Sequence, residues 1–129
     1  GEVTDMSEMF RRATNFNQNI GRWNVAKVNS MVTMFLGATN FNQDIGNWNV
    51  GEVTFMTSMF NSAGSFNQNI GRWDVGKVTN MLQMFRGATS FDQNLCGWTR
   101  AARSCENIFL DAGCSFSSDG ICSTSGTLV

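Results

Sequence analysis

Apolar residues recur along this chain at steps of three, three, one and three. In residues 26–50 the run is Val28, Met31, Met34, Phe35 and Ala38, with mostly polar residues between them. That spacing draws a single stripe along a helix of about three turns. Asn29, Thr54 and Thr79 stand at the start of such stripes, where a side-chain oxygen suits an N-cap. Gly37 and Gly87 lie near the predicted helix end. Phe41 then anchors a Phe-Asn-Gln-Asp turn, after which Ile45, Trp48 and Val50 follow at strand spacing. Trp48 and Val50 alternate with Asn47 and Asn49, the period of a half-buried strand. One unit therefore reads as strand, turn, helix and return loop.

The unit is written four times with no insertion or deletion, over residues 1–25, 26–50, 51–75 and 76–100. An unbroken period of this length marks a solenoid, in which each repeat buries its apolar face against its neighbours. The predicted fold class is an α/β solenoid of leucine-rich-repeat-like form: four 25-residue strand–helix coils over residues 1–100, then a disulfide-stapled C-terminal cap and tail over residues 101–129. Stacking would align ladders such as Met6/Met31/Met56/Met81, Phe10/Phe35/Phe60/Phe85, Phe16/Phe41/Phe66/Phe91 and Trp23/Trp48/Trp73/Trp98, which read as core. Phe55 breaks the pattern. Its counterparts Asp5, Ser30 and Asn80 are polar, so it is a candidate contact point.

Two polar ladders set register. The Asn-Gln-Asn triplets, as in Asn17, Gln18 and Asn19, are expected to bond turn backbone and the next coil. Asp44 and Asp92 with nearby carbonyls suggest Ca²⁺, but too few carboxylates recur to hold it. Glu2, Lys27, Glu52 and Lys77 alternate in sign from coil to coil, each facing an opposite charge about 5 Å away in a stacked sheet. Each exposed pair is worth under about 1 kcal/mol, so its role is alignment.

Composition narrows the function. Net charge is −1 and the cations are dispersed, unlike a nucleic-acid footprint or a surface for anionic lipid. No apolar run approaches the length of a membrane span. The chain starts with Gly, so any signal peptide is expected to have been removed or to lie upstream. It has no His, the commonest general base and metal ligand. No nucleophile–base pair and no phosphate-binding glycine loop is recognisable, so neither enzyme activity nor a cofactor or metal is expected.

All four cysteines, Cys96, Cys105, Cys114 and Cys122, fall near the end. With no Cys-x-x-Cys pair, an even count in this segment reads as two disulfides and an oxidising compartment. Four cysteines allow three connectivities. Cys96–Cys114 with Cys105–Cys122 is favoured, because it ties the last full coil to a degenerate fifth unit around Ile108 and Phe109. The Ser/Thr/Gly-rich residues 115–128 read as a loosely ordered or O-glycosylated tail.

The string Met-Phe-x-x-Ala-x-x-Phe-Asn-Gln-Asp/Asn-Ile-Gly-x-Trp-Asp/Asn-Val, running through residues 1–98, resembles the surface-lipoprotein repeat of unknown function abundant in mycoplasma lipoproteins and found in algae. That repeat is related to bacterial-surface leucine-rich-repeat proteins. The ending around Cys96, Trp98, Phe109 and Cys114 is similar to secreted algal members. The resemblance implies surface display, adhesion or protein–protein contact, and offers no catalytic residues.

The functional expectation is a non-catalytic extracellular or cell-surface module for protein interaction, adhesion or ordered self-assembly. Its candidate face is Arg22, Asn24, Asn47, Asn49, Phe55, Arg72 and Asp74. The expected partner is a protein or a second copy stacked head to tail on the apolar Val3, Met6, Phe10, Phe16, Ile20 and Trp23 of the first coil, with an upstream segment covering that end as the alternative. Glycan binding by the Asn, Arg and Asp row is the alternative, although the row lacks an exposed aromatic platform. Ice binding by Thr rows is a weaker reading, because Gly64 interrupts Thr14, Thr39 and Thr89.

Overall fold

The computed structural model describes residues 1–98. Among them the only helix is a 3₁₀ turn, Cys96–Trp98. The expected strand–helix unit is not what the backbone forms. Each repeat is a succession of tight turns, in which local bonds three residues back alternate with bonds to the neighbouring coil.

The second repeat shows how. The N–H groups of Met34, Leu36 and Ala38 donate three residues back, to the carbonyls of Met31, Thr33 and Phe35. The intervening N–H groups, on Met31, Thr33, Phe35 and Gly37, donate instead to Phe55, Thr57, Met59 and Asn61 of the third repeat, at 2.8–2.9 Å. An α-helix would direct all of these bonds four residues back. Thr33 (φ 53°) and Gly37 (φ 70°) lie in the left-handed region, which a right-handed helix cannot contain. The same two positions are left-handed in every repeat: Glu8 and Arg12, Ser58 and Ser62, Gln83 and Gly87. An isolated helix of two or three turns is marginal in water. Stacking satisfies the backbone of two coils together, and the apolar residues still face inward because each turn returns the chain to the same side.

The strand reading is half met. Trp48 and Val50 are buried while Asn47 and Asn49 are exposed. The backbone nonetheless turns, from Ile45 to Trp48 and from Val50 to Val53. Among the described residues, strand-like pairing is limited to one row of parallel bridges, Asp5–Ser30–Phe55–Asn80. Asn29, Thr54 and Thr79 do not cap helices. The Thr54 and Thr79 hydroxyls donate to the carbonyls of Asn29 and Thr54, one coil earlier.

The core is a set of ladders. Phe10, Phe35, Phe60 and Phe85 stack with ring centroids 5.5–5.6 Å apart and planes within 11°. Phe16, Phe41, Phe66 and Phe91 form a second column at 5.8–5.9 Å. Trp48, Trp73 and Trp98 form a third at 6.3–6.4 Å. Near-parallel rings at these separations are offset stacks, which the aromatic quadrupole favours. The Trp48 and Trp73 indole N–H groups donate to the carbonyls of Ile20 and Ile45. Glycine permits the close approach beside each Trp: a Cβ on Gly46 would stand 2.5 Å from the Asn69 carbonyl oxygen.

Candidate interaction surfaces

The amide ladder is built into the turns. Asn17 Oδ1 accepts from the Asn42 backbone N–H and from Gln43 Nε2, both at 2.9 Å. Asn42 does the same for Asn67 and Gln68, and Asn67 for Asp92 and Gln93. Each Asn thus holds the following coil in register and is committed to structure. Of the alternating charges, Glu52 and Lys77 meet at 2.7 Å. Lys77 holds the Glu52 carboxyl below its ordinary pKa, first by that hydrogen bond and then by its charge, with a smaller contribution from Lys27.

The candidate face divides into rows. Arg22, Asn47 and Arg72 occupy equivalent exposed positions, beside the equally exposed row Asn24, Asn49 and Asp74. The second row is partly occupied: the Oδ1 atoms of Asn24, Asn49 and Asp74 accept from the N–H groups of Ala26, Gly51 and Gly76 at 3.0–3.1 Å. Neither Arg22 nor Arg72 has an ion-pair partner among the described residues. Phe55 is 48% exposed but belongs to the bridged row, past the turn between Val50 and Val53. The six polar residues therefore form one strip, and Phe55 stands apart from it.

A depression of about 410 Å³ borders this strip, lined by Ala26, Lys27, Asn29, Asn49 and Glu52. It offers an ammonium, a carboxylate and two amides to a hydrogen-bonding ligand. Its two charges oppose one another, so it favours neither an anion nor a cation. Among the described residues, no group of three or more His, Cys, Asp or Glu could hold a metal ion, and no helix is long and apolar enough to cross a membrane. The predicted disulfides rest on Cys105, Cys114 and Cys122, which lie outside the described residues.

The first coil departs from the others. Trp23 is 40% exposed where Trp48 is 4%, and Val3 and Met9 are 50% and 45% exposed. Phe10 and Phe16 are half-buried, while Met6 and Ile20, expected on the open face, are buried. Met9 was not singled out by sequence reasoning, because its counterparts Met34, Met59 and Met84 are core. Leu82 is also exposed and also missed. Its counterparts Ser7 and Thr57 are polar but Val32 is apolar, so the signal that marked Phe55 is weaker here.

No curated protein and no solved structure matches the chain. A family match does span most of it, including all four repeats but for the first three residues, and three of the four cysteines beyond residue 95. Over residues 4–120 the chain belongs to the family described as Mycoplasma protein of unknown function, DUF285.

Proposed function

We propose that this chain is a non-catalytic repeat module, an α-helix-poor solenoid related to bacterial-surface leucine-rich-repeat proteins, that acts outside the cell or at its surface in protein–protein contact or adhesion. The observation that carries the reading is the exposed strip of Arg22, Asn24, Asn47, Asn49, Arg72 and Asp74 on coils held in register by backbone bonds. A rigid, evenly spaced array of guanidinium, amide and carboxylate groups suits a protein surface, where charge placement sets specificity and on-rate. Arg22 and Arg72 supply planar donors for a partner's carboxylates.

Glycan binding by the same strip is the second reading, favoured by the neighbouring depression at Asn29 and Asn49. Ice binding loses support because Thr39, Thr54 and Thr79 direct their hydroxyls to carbonyls of the preceding coil. The test is a binding screen of the whole chain against purified extracellular-matrix and cell-surface proteins, with a glycan array in parallel. The expected result is a protein hit that the double variant Arg22→Ala, Arg72→Ala loses while its melting temperature is unchanged. A glycan hit with no protein hit would transfer the strip to the second reading.

A further inference from the structure

The turns that follow the bridged row Asp5–Ser30–Phe55–Asn80 build a face distinct from the polar strip. In the second coil Met31, Met34, Phe35 and Ala38 are buried, and the residues between them reach the surface. Two contacts tie these outer positions into one surface. Ser7 Oγ lies 2.7 Å from Ser30 Oγ, so a residue two past the bridged row touches the bridged row of the next coil. Arg11 Nη1 meets Glu8 Oε2 at 3.3 Å, across one turn. The unbroken repeat register sets Val32 beside Phe55 in the same relation as Ser7 beside Ser30.

Charge on this face is confined to its two ends. The first coil brings Asp5, Glu8, Arg11 and Arg12, and the fourth brings Arg86. The second and third coils bring no charge to it. They offer Val32, Leu36 and Phe55 among small polar residues, and Leu82 of the fourth coil extends the apolar centre. Phe55 is 48% exposed and Leu82 40%. A charge-depleted, partly apolar centre with a charged rim is the anatomy of a protein interface. Glu8 and Arg11 satisfy each other. Asp5 and Arg86, at opposite ends and opposite sides of the face, have no ion-pair partner among the described residues.

We infer that this face pairs with the same face of a second copy, about a two-fold axis normal to it between the second and third coils. Such an axis reverses both the order of the coils and the direction of the chain across the face, and every contact it makes occurs twice. The bridged position of one coil then meets the position six residues further on in the coil opposite. Asp5 faces Arg86 of the second copy, and Phe55 faces Leu36. No like charges are opposed: Glu8 faces Gln83, Arg11 faces Asn80 and Arg12 faces Thr79. The complementarity belongs to this register. Moving the axis half a coil, onto the third, sets Phe55 against Asn61 and Arg86 against Ser30, and both matches are lost. Four coils about 5 Å apart make a face smaller than the roughly 800 Å² per partner of a stable interface, so the dimer is reversible.

Analytical ultracentrifugation of the full 129-residue chain over a wide concentration range tests the pairing. The expected result is a closed monomer–dimer equilibrium. Phe55→Ser, which places the residue of Ser30 at the equivalent position, should raise the dimer Kd about tenfold or more. Arg86→Asp opposes two carboxylates at both ends and should raise it by about 100-fold. Both substituted side chains are exposed, so both variants should melt with the wild type. The swap Asp5→Arg with Arg86→Asp should restore the dimer. The double variant Arg22→Ala, Arg72→Ala alters only the polar strip and should dimerise as the wild type does, which separates this test from that of the strip. A monomer at every concentration would overturn the proposal, as would a dimer that Arg86→Asp leaves intact or that the swap fails to restore. Open-ended association would also overturn it, by placing the contact on the end coil at Trp23.

Discussion

The backbone N–H of Thr33 donates to the carbonyl of Thr57, 2.9 Å away in the next coil. Thr33 holds a left-handed conformation to do so, with φ 53°. A β-branched residue there carries roughly 1–2 kcal/mol of strain, and its buried Oγ1 finds no partner. The inter-coil bonds and the core beneath them offset that cost. Thr33→Gly removes both the strain and the orphaned hydroxyl, at the expense of greater freedom in the unfolded chain. The variant is expected to be more stable by about 1 kcal/mol, measured by urea denaturation.

The Trp ladder makes the fate of a substitution depend on position in the stack. Trp48 is buried between coils and bonded to Ile20. Trp48→Ala should cost about 3–5 kcal/mol through lost burial and a cavity. Trp23 occupies the equivalent position but is 40% exposed, so Trp23→Ala should cost only about 1 kcal/mol. Equal losses in the two variants' denaturation midpoints would mean that the first coil is covered.

Two glycines predict opposite outcomes. Alanine at Gly46 would press its Cβ against the Asn69 carbonyl, a backbone atom of the next coil. Gly46→Ala is expected to destabilise by about 1–3 kcal/mol. A Cβ on Gly64 would meet nothing closer than Thr89 Oγ1, at 4.0 Å, and the counterparts of Gly64 are Thr14, Thr39 and Thr89. Gly64→Ala should therefore stabilise by about 0.4–1 kcal/mol, by restricting the unfolded chain. Thermal denaturation of the two variants checks both signs.

The Glu52–Lys77 pair predicts a small acid dependence. Its carboxyl has a folded pKa below the ordinary 4.5. The unfolded state therefore takes up protons first, and the pair's contribution is present above 4.5 and drains away as pH falls through the lower folded value. Both side chains are exposed, so salt screens the effect. The stability difference between the wild type and Lys77→Gln should be measurable at neutral pH in low salt. It should vanish in strong acid and in about 1 M salt, where the screening length is about 3 Å. A difference that survives acid would mean that Lys77 acts through packing.

Much of the stack was legible in the residues. Phe35, Phe41 and Trp48 recur at an unbroken period, and identical side chains at a fixed period can only meet in ladders once coils stack in parallel. The helix was misread because the run Val28, Met31, Met34, Phe35, Ala38 fits successive turns as well as it fits a helical stripe. Glycine at 37 and 87 was the available sign of a left-handed position. Arg12 and Ser62 hide that sign in the other repeats, and Thr33 and its equivalents give none. The exposure of Arg22, Asn47 and Arg72 followed from alternation with Trp. The turn-closing role of Asn24, Asn49 and Asp74 did not, since an Asx turn in a strand-like pattern looks the same as a solvated strand residue.

The inter-coil hydrogen bonds can be detected one by one, through scalar couplings between an amide nitrogen and the carbonyl carbon that accepts its proton. For an isotope-labelled sample of the full chain, the stack of turns predicts a cross-peak joining the Phe35 amide nitrogen to the Met59 carbonyl carbon, and another joining Thr33 to Thr57. A cross-peak from Phe35 to Met31 instead would place an α-helix in the repeat and contradict the stacked-turn architecture.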